Sequence, residues 1–554
     1  MRSFCPCLKR RCPRKDNMTM KNKPFPHYNI SPYETFEQFL TLVRGKYGDK
    51  VLFRTKRRKS ESAVTYNQFY DDVQKLASHF RKIYGARNKI AVIGENSYEW
   101  ILTYFAVVCS NNIIVPIDKE LSAPDIAELL MECECHTLIY SKDYDDIADD
   151  IGGIIPNFEA IAMPKLRGYI EAVESAEWIE TDKNALASII YTSGTTGKSK
   201  GVMLSQKNIC EDTRAACGFI ELYGRSLALL PFHHTFAFTV SGLANIYYGV
   251  DTLIVPSLKN VMELINDFKP TYLAVVPMIV EKVDKGILQK IEKSGKKKLL
   301  GIFDKVCKPF DALNIGLRNK CFSAIRNGLG GELDFIISGG APIDQQIIDR
   351  FDSYGIKIMN GYGISECSPV VSVNRRYHYR AGSIGQALPE VKVKIDNPDE
   401  NGEGEICVQG DIVMLGYYNM PEETEKAIVD GWFHTGDLGK LDKDGFIYIT
   451  GRIKNLIILS NGKNVSPEEL ETLIGRIPGV VECLVSEEDN KLVAEIYPDE
   501  EFRAAQSDIQ AYFNEQIDQL NDTLPPYKAI AKVTIRDTEF VKTTTKKIKR
   551  TYKK

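Results

Sequence analysis

The segment Ser188–Ser205, which reads SIIYTSGTTGKSKGVMLS, is the part of the sequence that says most about fold and function. Its β-prone residues Ile189–Tyr191 predict the end of a buried strand. The glycines, hydroxyls and lysines that follow predict a loop whose backbone N–H groups and side chains cradle a polyphosphate. Ser205 is a typical helix N-cap residue, so we expect a helix from Gln206 onward.

The P-loop of kinases and ATPases is the nearest alternative motif. Its pattern is Gly-x-x-x-x-Gly-Lys-Ser/Thr. Gly197-Lys198-Ser199 matches the end of that pattern, but Thr192 occupies the position of the first glycine. The P-loop interpretation therefore fails at that position. A flexible Ser/Thr/Gly loop is the other alternative, and the order of strand, loop and capped helix disfavours it.

The stretch YTSGTTGKSKGV at residues 191–202 closely resembles the phosphate-loop signature of the adenylate-forming superfamily. That superfamily comprises acyl-CoA synthetases, luciferases and peptide-synthetase adenylation domains. Ser199 stands where the family usually has proline. The resemblance implies that the loop binds the phosphates of ATP, and that Thr195 acts in catalysis and helps to hold Mg²⁺. The implied phosphate-binding residues are Thr192, Ser193, Gly194, Thr195, Thr196, Gly197 and Lys200.

Length and composition set broad limits on the class of protein. A chain of 554 residues is too long for one hydrophobic core, so about two to four domains are expected. The net charge of −3 argues against a nucleic-acid partner. The longest apolar runs, such as Trp100–Val108, are too short to span a membrane. The 13 cysteines are scattered, which favours a reducing cytoplasm over a disulfide framework.

Strand-like and helix-like segments alternate from Lys89 to Gly361, which predicts βαβ units and a parallel sheet. The predicted fold class is α/β. It has a large N-terminal domain of parallel or mixed sheets with flanking helices, a β-rich subdomain, and a small mobile α+β C-terminal domain. The predicted boundaries are 1–24 for a disordered basic extension, 25–451 for the N-terminal adenylation domain, 382–451 for its β-rich subdomain, and 452–554 for the C-terminal domain.

The region beyond Arg452 has its own pattern. We expect a capped helix start at Ser466, because proline and two glutamates follow that serine. A hairpin is predicted around Glu487–Asn490, and helical structure over Phe502–Leu520.

Further motifs follow predicted strands, at the sheet edge where α/β proteins bind ligands. In the family, the pattern Leu-Pro-x-x-His places a catalytic histidine between the phosphates and the carboxylate pocket, and His234 matches it. By the same resemblance Glu366 acts in catalysis and ligates Mg²⁺ together with Thr195. Asp437 accepts both ribose hydroxyls, and Arg452 helps to hold the ribose or a phosphate. The residues implied to contact adenine and the α-phosphate are Gly339, Gly340, Ala341, Asn360, Gly361, Tyr362, Gly363 and Ser365.

Near the end of the chain, VKTTTKKIKR at residues 541–550 resembles the family's Pro-Lys-Thr-x-Thr-Gly-Lys-Ile motif. Lys547 falls on the catalytic, nucleotide-binding lysine of that motif. Lys546 replaces the family's glycine, so the assignment stays open between these two lysines. The family's hinge motif is matched at 451–455, where Lys454 or Asn455 bears the rotation.

The resemblance extends from about Thr35 to Arg550 and is greatest to bacterial long-chain fatty acyl-CoA synthetases. It implies that ATP converts a fatty acid to acyl-AMP with release of pyrophosphate, and that coenzyme A then accepts the acyl group. Mg²⁺ is the implied metal. Two alternatives stay open: an adenylating ligase for a non-fatty acid or a carrier-protein acceptor, and a nucleotide-binding pseudoenzyme.

The segment 282–326 is rich in lysine and arginine. One interpretation is a peripheral contact with the anionic inner surface of a membrane. The other is a helical face that is simply solvated. The predicted location is the cytoplasm, either free or in peripheral contact with the inner membrane surface. The sequence makes no prediction of oligomeric state.

Overall fold

The computed structural model describes residues 27–57, 60–192, 199–295, 307, 321–460, 463–542 and 548–550. The predicted basic extension at 1–24 lies outside these residues. The described helices are α1 (Phe36–Tyr47), α2 (Tyr66–Tyr84), α3 (Tyr98–Cys109), α4 (Ala123–Glu132), α5 (Asp145–Ile154), α6 (Leu166–Glu171), α7 (Gln206–Phe219), α8 (Thr235–Ala237), α9 (Ala244–Tyr248), α10 (Val261–Phe268), α11 (Pro277–Lys293), α12 (Ser323–Asn327), α13 (Gln345–Ser353), α14 (Pro421–Ala427), α15 (Pro467–Ile474), α16 (Glu500–Ala505) and α17 (Ile509–Asn521). A π-helical turn, Phe238–Leu243, joins α8 to α9.

The described strands are β1 (Val51–Arg57), β2 (Ser60–Thr65), β3 (Lys89–Ile93), β4 (Ile113–Pro116), β5 (Thr137–Tyr140), β6 (Glu159–Ala162), β7 (Leu186–Thr192), β8 (Lys200–Ser205), β9 (Arg225–Ala228), β10 (Asp251–Ile254), β11 (Tyr272–Val275), β12 (Phe335–Ser338), β13 (Lys357–Gly363), β14 (Val370–Val373), β15 (Gln386–Ala387), β16 (Lys392–Asp396), β17 (Gly404–Gln409), β18 (Gly416–Tyr417), β19 (Ile428–Val429), β20 (Trp432–Leu441), β21 (Ile447–Arg452), β22 (Ile457–Ile458), β23 (Asn464–Val465), β24 (Val480–Glu488), β25 (Lys491–Pro498) and β26 (Ile530–Ile535).

Two large sheets organise the first two thirds of the chain. One has nine strands in the order β15-β14-β13-β12-β11-β9-β10-β1-β2, and the other has seven in the order β18-β8-β7-β4-β3-β5-β6. Pairing is parallel in the middle of each sheet and antiparallel at both ends of the nine-stranded sheet. In the seven-stranded sheet it is antiparallel at the β18 end and parallel at the β6 end. These sheets confirm the predicted α/β class, and the mixed pairing is one of the two arrangements that the sequence predicts.

The main hydrophobic core lies between the two sheets. Along β3, Ile90 and Val92 belong to this core, whereas Ala91 and Ile93 belong to a second core on the outer face of the same sheet. Such alternation follows from the two-residue period of a strand. Helix α3 is buried from Trp100 to Cys109 because it packs against β3 and β4 on one side and against α1 and α2 on another. A third core covers the outer face of the nine-stranded sheet beneath α10, α11 and α13.

The hairpin at the predicted phosphate loop differs from the expected order of strand, loop and helix. β7 pairs with β8, with Thr192 opposite Lys200, and residues 193–198 between them lie outside the described residues. Strand β8 was not expected; it forms because Val202 and Leu204 are buried against the core. The helix start at Gln206 is confirmed, and a capping box between Ser205 and Asn208 fixes it. A strand therefore separates this helix N-terminus from the loop.

The β-rich region and the C-terminal region form separate sheets. Strands β16, β17, β20, β19 and β21 make a five-stranded antiparallel sheet, and β24, β25 and β26 make a three-stranded one. The three-stranded sheet, α15 and α17 share a hydrophobic core whose members all lie between Ile457 and Ile535. This small α+β unit agrees with the predicted fold class.

Three local expectations in the C-terminal region need correction. The helical structure over Phe502–Leu520 is interrupted, because Asp508 caps a new helix at Ile509 after α16 has ended. The hydroxyl of Ser466 bonds to the Glu468 carboxylate and does not cap α15. Strand β26, which pairs in parallel with β25, was not expected. Among the described residues, no helix combines the length and the apolar composition needed to cross a bilayer.

Candidate active site

A buried carboxylate is held at the junction of the five-stranded sheet and the nine-stranded sheet. Asp437 on β20 is 3% exposed and accepts a 2.6 Å hydrogen bond from the Tyr362 hydroxyl. The Arg452 guanidinium, opposite Asp437 on β21, donates to its other oxygen at 2.6 Å. Burial, and then the charge of Asp437, raise the pKa of the Tyr362 phenol well above its usual value, so that this phenol remains a donor. An acceptor fixed in this way suits a diol ligand.

The turn before Asp437 is shaped by Glu405. One Glu405 oxygen accepts from the Gly436 N–H at 2.8 Å, and the other is 2.8 Å from Nδ1 of His434. With Cys407, Glu405 and His434 form a group whose potential metal-ligand atoms lie within 4.8 Å of one another. Because both carboxylate oxygens already accept hydrogen bonds within the turn, we interpret this group as support for Asp437.

A second buried carboxylate, Glu366, follows β13 in a 3₁₀ turn at Ser365–Cys367. The Tyr417 hydroxyl donates to Glu366 Oε1 at 2.9 Å. Burial raises the pKa of Glu366, while the Tyr417 hydrogen bond and the charges of Arg452 and Lys200 oppose that rise. This environment favours an added cation, which would hold the carboxylate in its ionised form.

The chemistry of Glu366 fits a magnesium ion, because carboxylate oxygens are ligands that Mg²⁺ prefers. Glu366 as a residue is 9% exposed and lines a large cleft, from which a cation can approach it. The other predicted ligand, Thr195, lies outside the described residues.

The ammonium group of Lys200 is one of the two cations whose charge acts on Glu366. Its Nζ atom forms a 2.7 Å ion pair with Glu423 on α14 and lies 4.7 Å from the centroid of the Tyr417 ring. The Glu423 carboxylate, held by Lys200 and by Lys426, has its pKa lowered to about 2. An ionised carboxylate therefore holds the Lys200 side chain at the wall of the cleft.

His234 begins the short helix α8, directly after the loop at the end of β9. Asn96 shapes that loop: its amide donates to the Leu230 carbonyl at 2.8 Å and its oxygen accepts from the Phe232 N–H at 2.9 Å. The neighbouring His233 is buried with its ring 4.1 Å from that of His234, and burial lowers its pKa well below the usual value. His233 is therefore neutral and serves as packing beside His234.

The glycine pair after β12 lies against an aromatic ring. A Cβ atom added to Gly339 would lie 3.1 Å from the Phe236 ring, and Gly340 has a φ of +88°. Because neither glycine carries a side chain, the backbone here leaves room for the flat ring of a ligand. The hydroxyl oxygens of Ser365 and of Thr235, which precedes Phe236, are 3.3 Å apart. The side chain of Asn360, in contrast, is bonded to Ser383 and Asn374 within the protein.

All of the described residues that the sequence analysis assigns to the site line one cleft of about 3720 Å³. They are Thr192, Lys200, His234, Gly339, Gly340, Ala341, Asn360, Gly361, Tyr362, Gly363, Ser365, Glu366, Asp437 and Arg452. The assigned residues Ser193, Gly194, Thr195, Thr196, Gly197 and Lys547 lie outside the described residues. The cleft exceeds the roughly 300–1,000 Å³ of a usual ligand pocket, which indicates room for several ligands.

One wall of the cleft is aliphatic. Along α11 the residues Ile279, Val283, Ile287 and Ile291 recur every fourth position and all line the cleft. Ile325 and Leu329, in and after α12, add to the same wall. Lys282 and Lys290 lie beside this stripe. The wall fits a long apolar chain that ends in an anionic group.

Sequence reasoning missed three residues that hold the site together. Tyr417 contacts Glu366 and Lys200, Glu423 pairs with Lys200, and Asn96 shapes the loop before His234. Tyr417 and Glu423 lie in a stretch, GYYNMPEET, whose glycine and proline indicate only a turn and a helix start. No local pattern assigns them to the site.

Comparison with known proteins identifies the family. Residues 43–418 match the model of the AMP-binding enzyme family, and residues 454–554 match the model of the AMP-binding enzyme C-terminal domain. The chain belongs to the family of AMP-binding enzymes, and the predicted membership of the adenylate-forming superfamily is thereby confirmed.

Relatives with curated names are fatty acid ligases. The long-chain-fatty-acid–CoA ligase FadD15 of Mycobacterium bovis is 29% identical over 434 residues, which cover 72% of this chain and 71% of that protein. The long-chain-fatty-acid–CoA ligase ACSBG1 of Bos taurus is 29% identical over 485 residues, which cover 79% of this chain and 67% of that protein. These names agree with the predicted class of acid–thiol ligase.

A solved structure supports the fold independently. O-succinylbenzoate coenzyme A synthetase from Bacillus subtilis, in complex with ATP and magnesium ion, superimposes with a TM-score of 0.72 at 22% identity. The match covers 92% of this chain and 98% of that chain. The two chains therefore share the same overall fold.

Proposed function

We propose that this protein is an AMP-forming long-chain fatty acid–CoA ligase. It activates the acid with ATP to acyl-AMP and then transfers the acyl group to the thiol of coenzyme A. The observation that carries the proposal is one cleft in which Lys200, Glu366, Asp437 and Arg452, from four separate segments, face an aliphatic wall. The names of the curated relatives support the same substrate class.

In the proposed first step, an oxygen of the fatty carboxylate attacks the α-phosphorus of ATP. The bond from that phosphorus to the bridging oxygen breaks, and pyrophosphate leaves. Asp437 accepts the ribose hydroxyls, the backbone of Gly339–Ala341 and the ring of Tyr362 contact adenine, and Ser365 donates to the α-phosphate. No protein nucleophile is needed, because the acid itself attacks.

Positive charge and hydrogen-bond donors stabilise this transition state, in which negative charge builds up on phosphate oxygens. Lys200 and Arg452 supply charge from the described part of the chain, and Lys547 supplies it from the C-terminal region. Glu366, together with Thr195, would hold Mg²⁺. When bound, the ion would neutralise charge on the phosphates of ATP. His234 lies between the phosphates and the acid, where it orients the attacking carboxylate.

We further propose that the chain divides near residue 452 into an N-terminal part, 25–451, and a C-terminal part, 452–554, that rotates between the two steps. The separate hydrophobic core of the C-terminal part supports this division. In the second step the thiol of coenzyme A attacks the acyl carbonyl, and AMP leaves.

The acid-dependent exchange of labelled pyrophosphate into ATP tests the proposed function directly. The purified full-length protein is incubated with ATP, Mg²⁺ and single acids, including short-chain, long-chain and aromatic ones. Exchange that is greatest with long-chain acids, followed by thioester formation when coenzyme A is added, is the expected result. Nucleotide binding without exchange for any acid would contradict the proposal and favour a pseudoenzyme.

We also propose a peripheral contact between the basic segment 282–326 and an anionic bilayer. In its described part, Lys282, Lys290 and Lys293 on α11 are exposed, as is the apolar side chain of Leu288. Met278, on the same helix just before the segment, is exposed too. Cosedimentation with vesicles that contain phosphatidylglycerol should fall as NaCl rises, because salt screens such contacts. Binding that does not depend on salt or on anionic lipid would contradict this contact.

A further inference from the structure

Tyr417 lies between two charged groups of the candidate site. Its hydroxyl donates to Glu366 Oε1 at 2.9 Å, and its ring centroid is 4.7 Å from Lys200 Nζ. One side chain thus contacts the carboxylate that fits a metal ion and the lysine that fits a phosphate. The sequence motifs assign no role to this residue.

The position of Tyr417 is fixed by its backbone. Strand β18 pairs with β8, with Tyr417 opposite Val202, and the Tyr417 N–H donates to Thr424 Oγ1 at 2.8 Å. Gly416 has a φ of +139°, and a Cβ atom added there would lie 2.7 Å from Thr424 Cγ2. Only glycine allows this close approach of β18 to α14, and the ring of Tyr417 is held in place as a result.

The two contacts restrict motion in different ways. The hydroxyl holds one carboxylate oxygen of Glu366, so that the carboxylate keeps one orientation toward the cleft. The ring face attracts the ammonium group of Lys200, while Glu423 binds the same group at 2.7 Å. A nucleotide that reaches the cleft therefore meets a lysine and a carboxylate that are already aligned.

We infer that Tyr417 is a positioning residue for nucleotide binding: its hydroxyl orients Glu366 toward a bound metal ion, and its ring orients Lys200 toward the phosphates. This inference rests on the proposed function. If Tyr417 only filled the core, substituting it would change nucleotide affinity by the same factor whether or not Glu366 and Lys200 were present.

The test is the dissociation constant of α,β-methylene-ATP with MgCl₂, measured by titration calorimetry on the full-length chain. In Tyr417→Phe, the ring remains and the hydroxyl is lost, and the constant should rise about tenfold, as for a lost hydrogen bond to a charged group. In Tyr417→Leu, the ring is lost too, and the constant should rise by a further factor of about three. Tyr418→Phe is the matched control, since the Tyr418 ring faces Lys89.

Double variants separate positioning from packing. In a Glu366→Gln background, Tyr417→Phe should change the dissociation constant less than about twofold, because the partner of the hydroxyl has lost its charge. In a Lys200→Met background, the additional effect of Tyr417→Leu over Tyr417→Phe should disappear. Should Tyr417→Leu not fold, as judged by near-ultraviolet circular dichroism, Tyr417→Met takes its place.

Two results would overturn the inference. One is a Tyr417→Phe protein that binds the nucleotide as tightly as the wild type. The other is an effect of Tyr417→Phe that is equally large with and without Glu366. A wild-type protein that fails to bind the nucleotide would instead overturn the proposed function, so the two failures are distinguishable.

Discussion

Asp437 is a buried carboxylate that two donors, Tyr362 and Arg452, hold in one orientation. Such an acceptor is costly to bury unless it is paired, and here the pairing leaves it at the edge of the cleft. We expect Asp437→Asn to weaken nucleotide binding, because the amide replaces one acceptor by a donor that faces Arg452. The loss should be about 2–3 kcal/mol, or roughly a hundredfold in the dissociation constant of α,β-methylene-ATP.

Asp430→Asn is the control for this variant. Asp430 is exposed in the turn before the same strand and has a φ of +51°, which asparagine also adopts readily. Binding that is unchanged in Asp437→Asn, or equally weakened in Asp430→Asn, would contradict the role of Asp437 as the ribose acceptor.

Glu471 should make the stability of the C-terminal part depend on pH. Burial raises its pKa to about 7, and the charge of Arg550 opposes that rise. In the unfolded chain the Glu471 carboxyl releases its proton at about pH 4.3. Between that pH and about pH 7 the folded form therefore binds one more proton than the unfolded form. The stabilisation is therefore complete below about pH 4.3 and is lost as the pH rises through 7, by roughly 3 kcal/mol at most.

The measurement is the midpoint of thermal unfolding between about pH 5 and about pH 8, a range over which Glu471 of the folded protein should release its proton. The wild type should lose stability as the pH rises, and Glu471→Gln should lose less, because glutamine accepts the Val485 N–H without titrating. Glu469→Gln, an exposed neighbour, should follow the wild type. Identical slopes in all three proteins would contradict the assignment to Glu471.

At the scale of elements, the start of α7 joins the hairpin of the phosphate loop to the β-rich region. Asn208 completes the capping box with Ser205 and also donates to the carbonyls of Asp411 and Val413 at 2.7 and 3.0 Å. Asn208→Ala should destabilise the protein by about 2–3 kcal/mol, since it removes a cap and leaves two partly buried carbonyls without this donor.

Thermal unfolding followed by circular dichroism checks this effect, and a midpoint lower by roughly 2–4 °C is expected for a chain of this size. Asn266→Ala is matched to it, because Asn266 is an exposed helical asparagine that bonds only to the Met262 carbonyl of its own helix. Equal midpoints for the two variants would show that the capping box does not anchor α7.

At the scale of the whole molecule, the C-terminal part should deliver its catalytic lysine for the first step only. Lys547→Ala should lower acyl-AMP formation by at least about a hundredfold, as expected when a group that stabilises transition-state charge is removed. Thioester formation from supplied acyl-AMP should stay within a few-fold of wild type. Both half-reactions are measured with radiolabelled fatty acid.

Lys546→Ala resolves the choice between the two adjacent lysines. If Lys547 is the catalytic residue, Lys546→Ala should retain acyl-AMP formation within a few-fold of wild type. Loss of that step in Lys546→Ala alone would move the role to Lys546. Equal loss of both half-reactions in Lys547→Ala would contradict a role confined to adenylation.

The sequence by itself determined the local order of the chain. The alternation of strands and helices from Lys89 to Gly361 was predictable, because the hydrophobic period of each segment encodes it locally. Family motifs likewise identified the class of enzyme and a set of residues that, where described, line one cleft. Elements that depend on a distant partner were missed, such as β8, whose burial comes from the sheet, and β26, which pairs with β25.

Only the tertiary structure decided which side chains meet. The bond between Tyr362 and Asp437 spans 75 residues, that between Tyr417 and Glu366 spans 51, and that between Lys200 and Glu423 spans 223. Sequence spacing reports which residues share a helix face or a strand face, but contacts across a cleft depend on sheet order and on how the connections cross. For that physical reason Tyr417 and Glu423 became part of the site only in the folded chain.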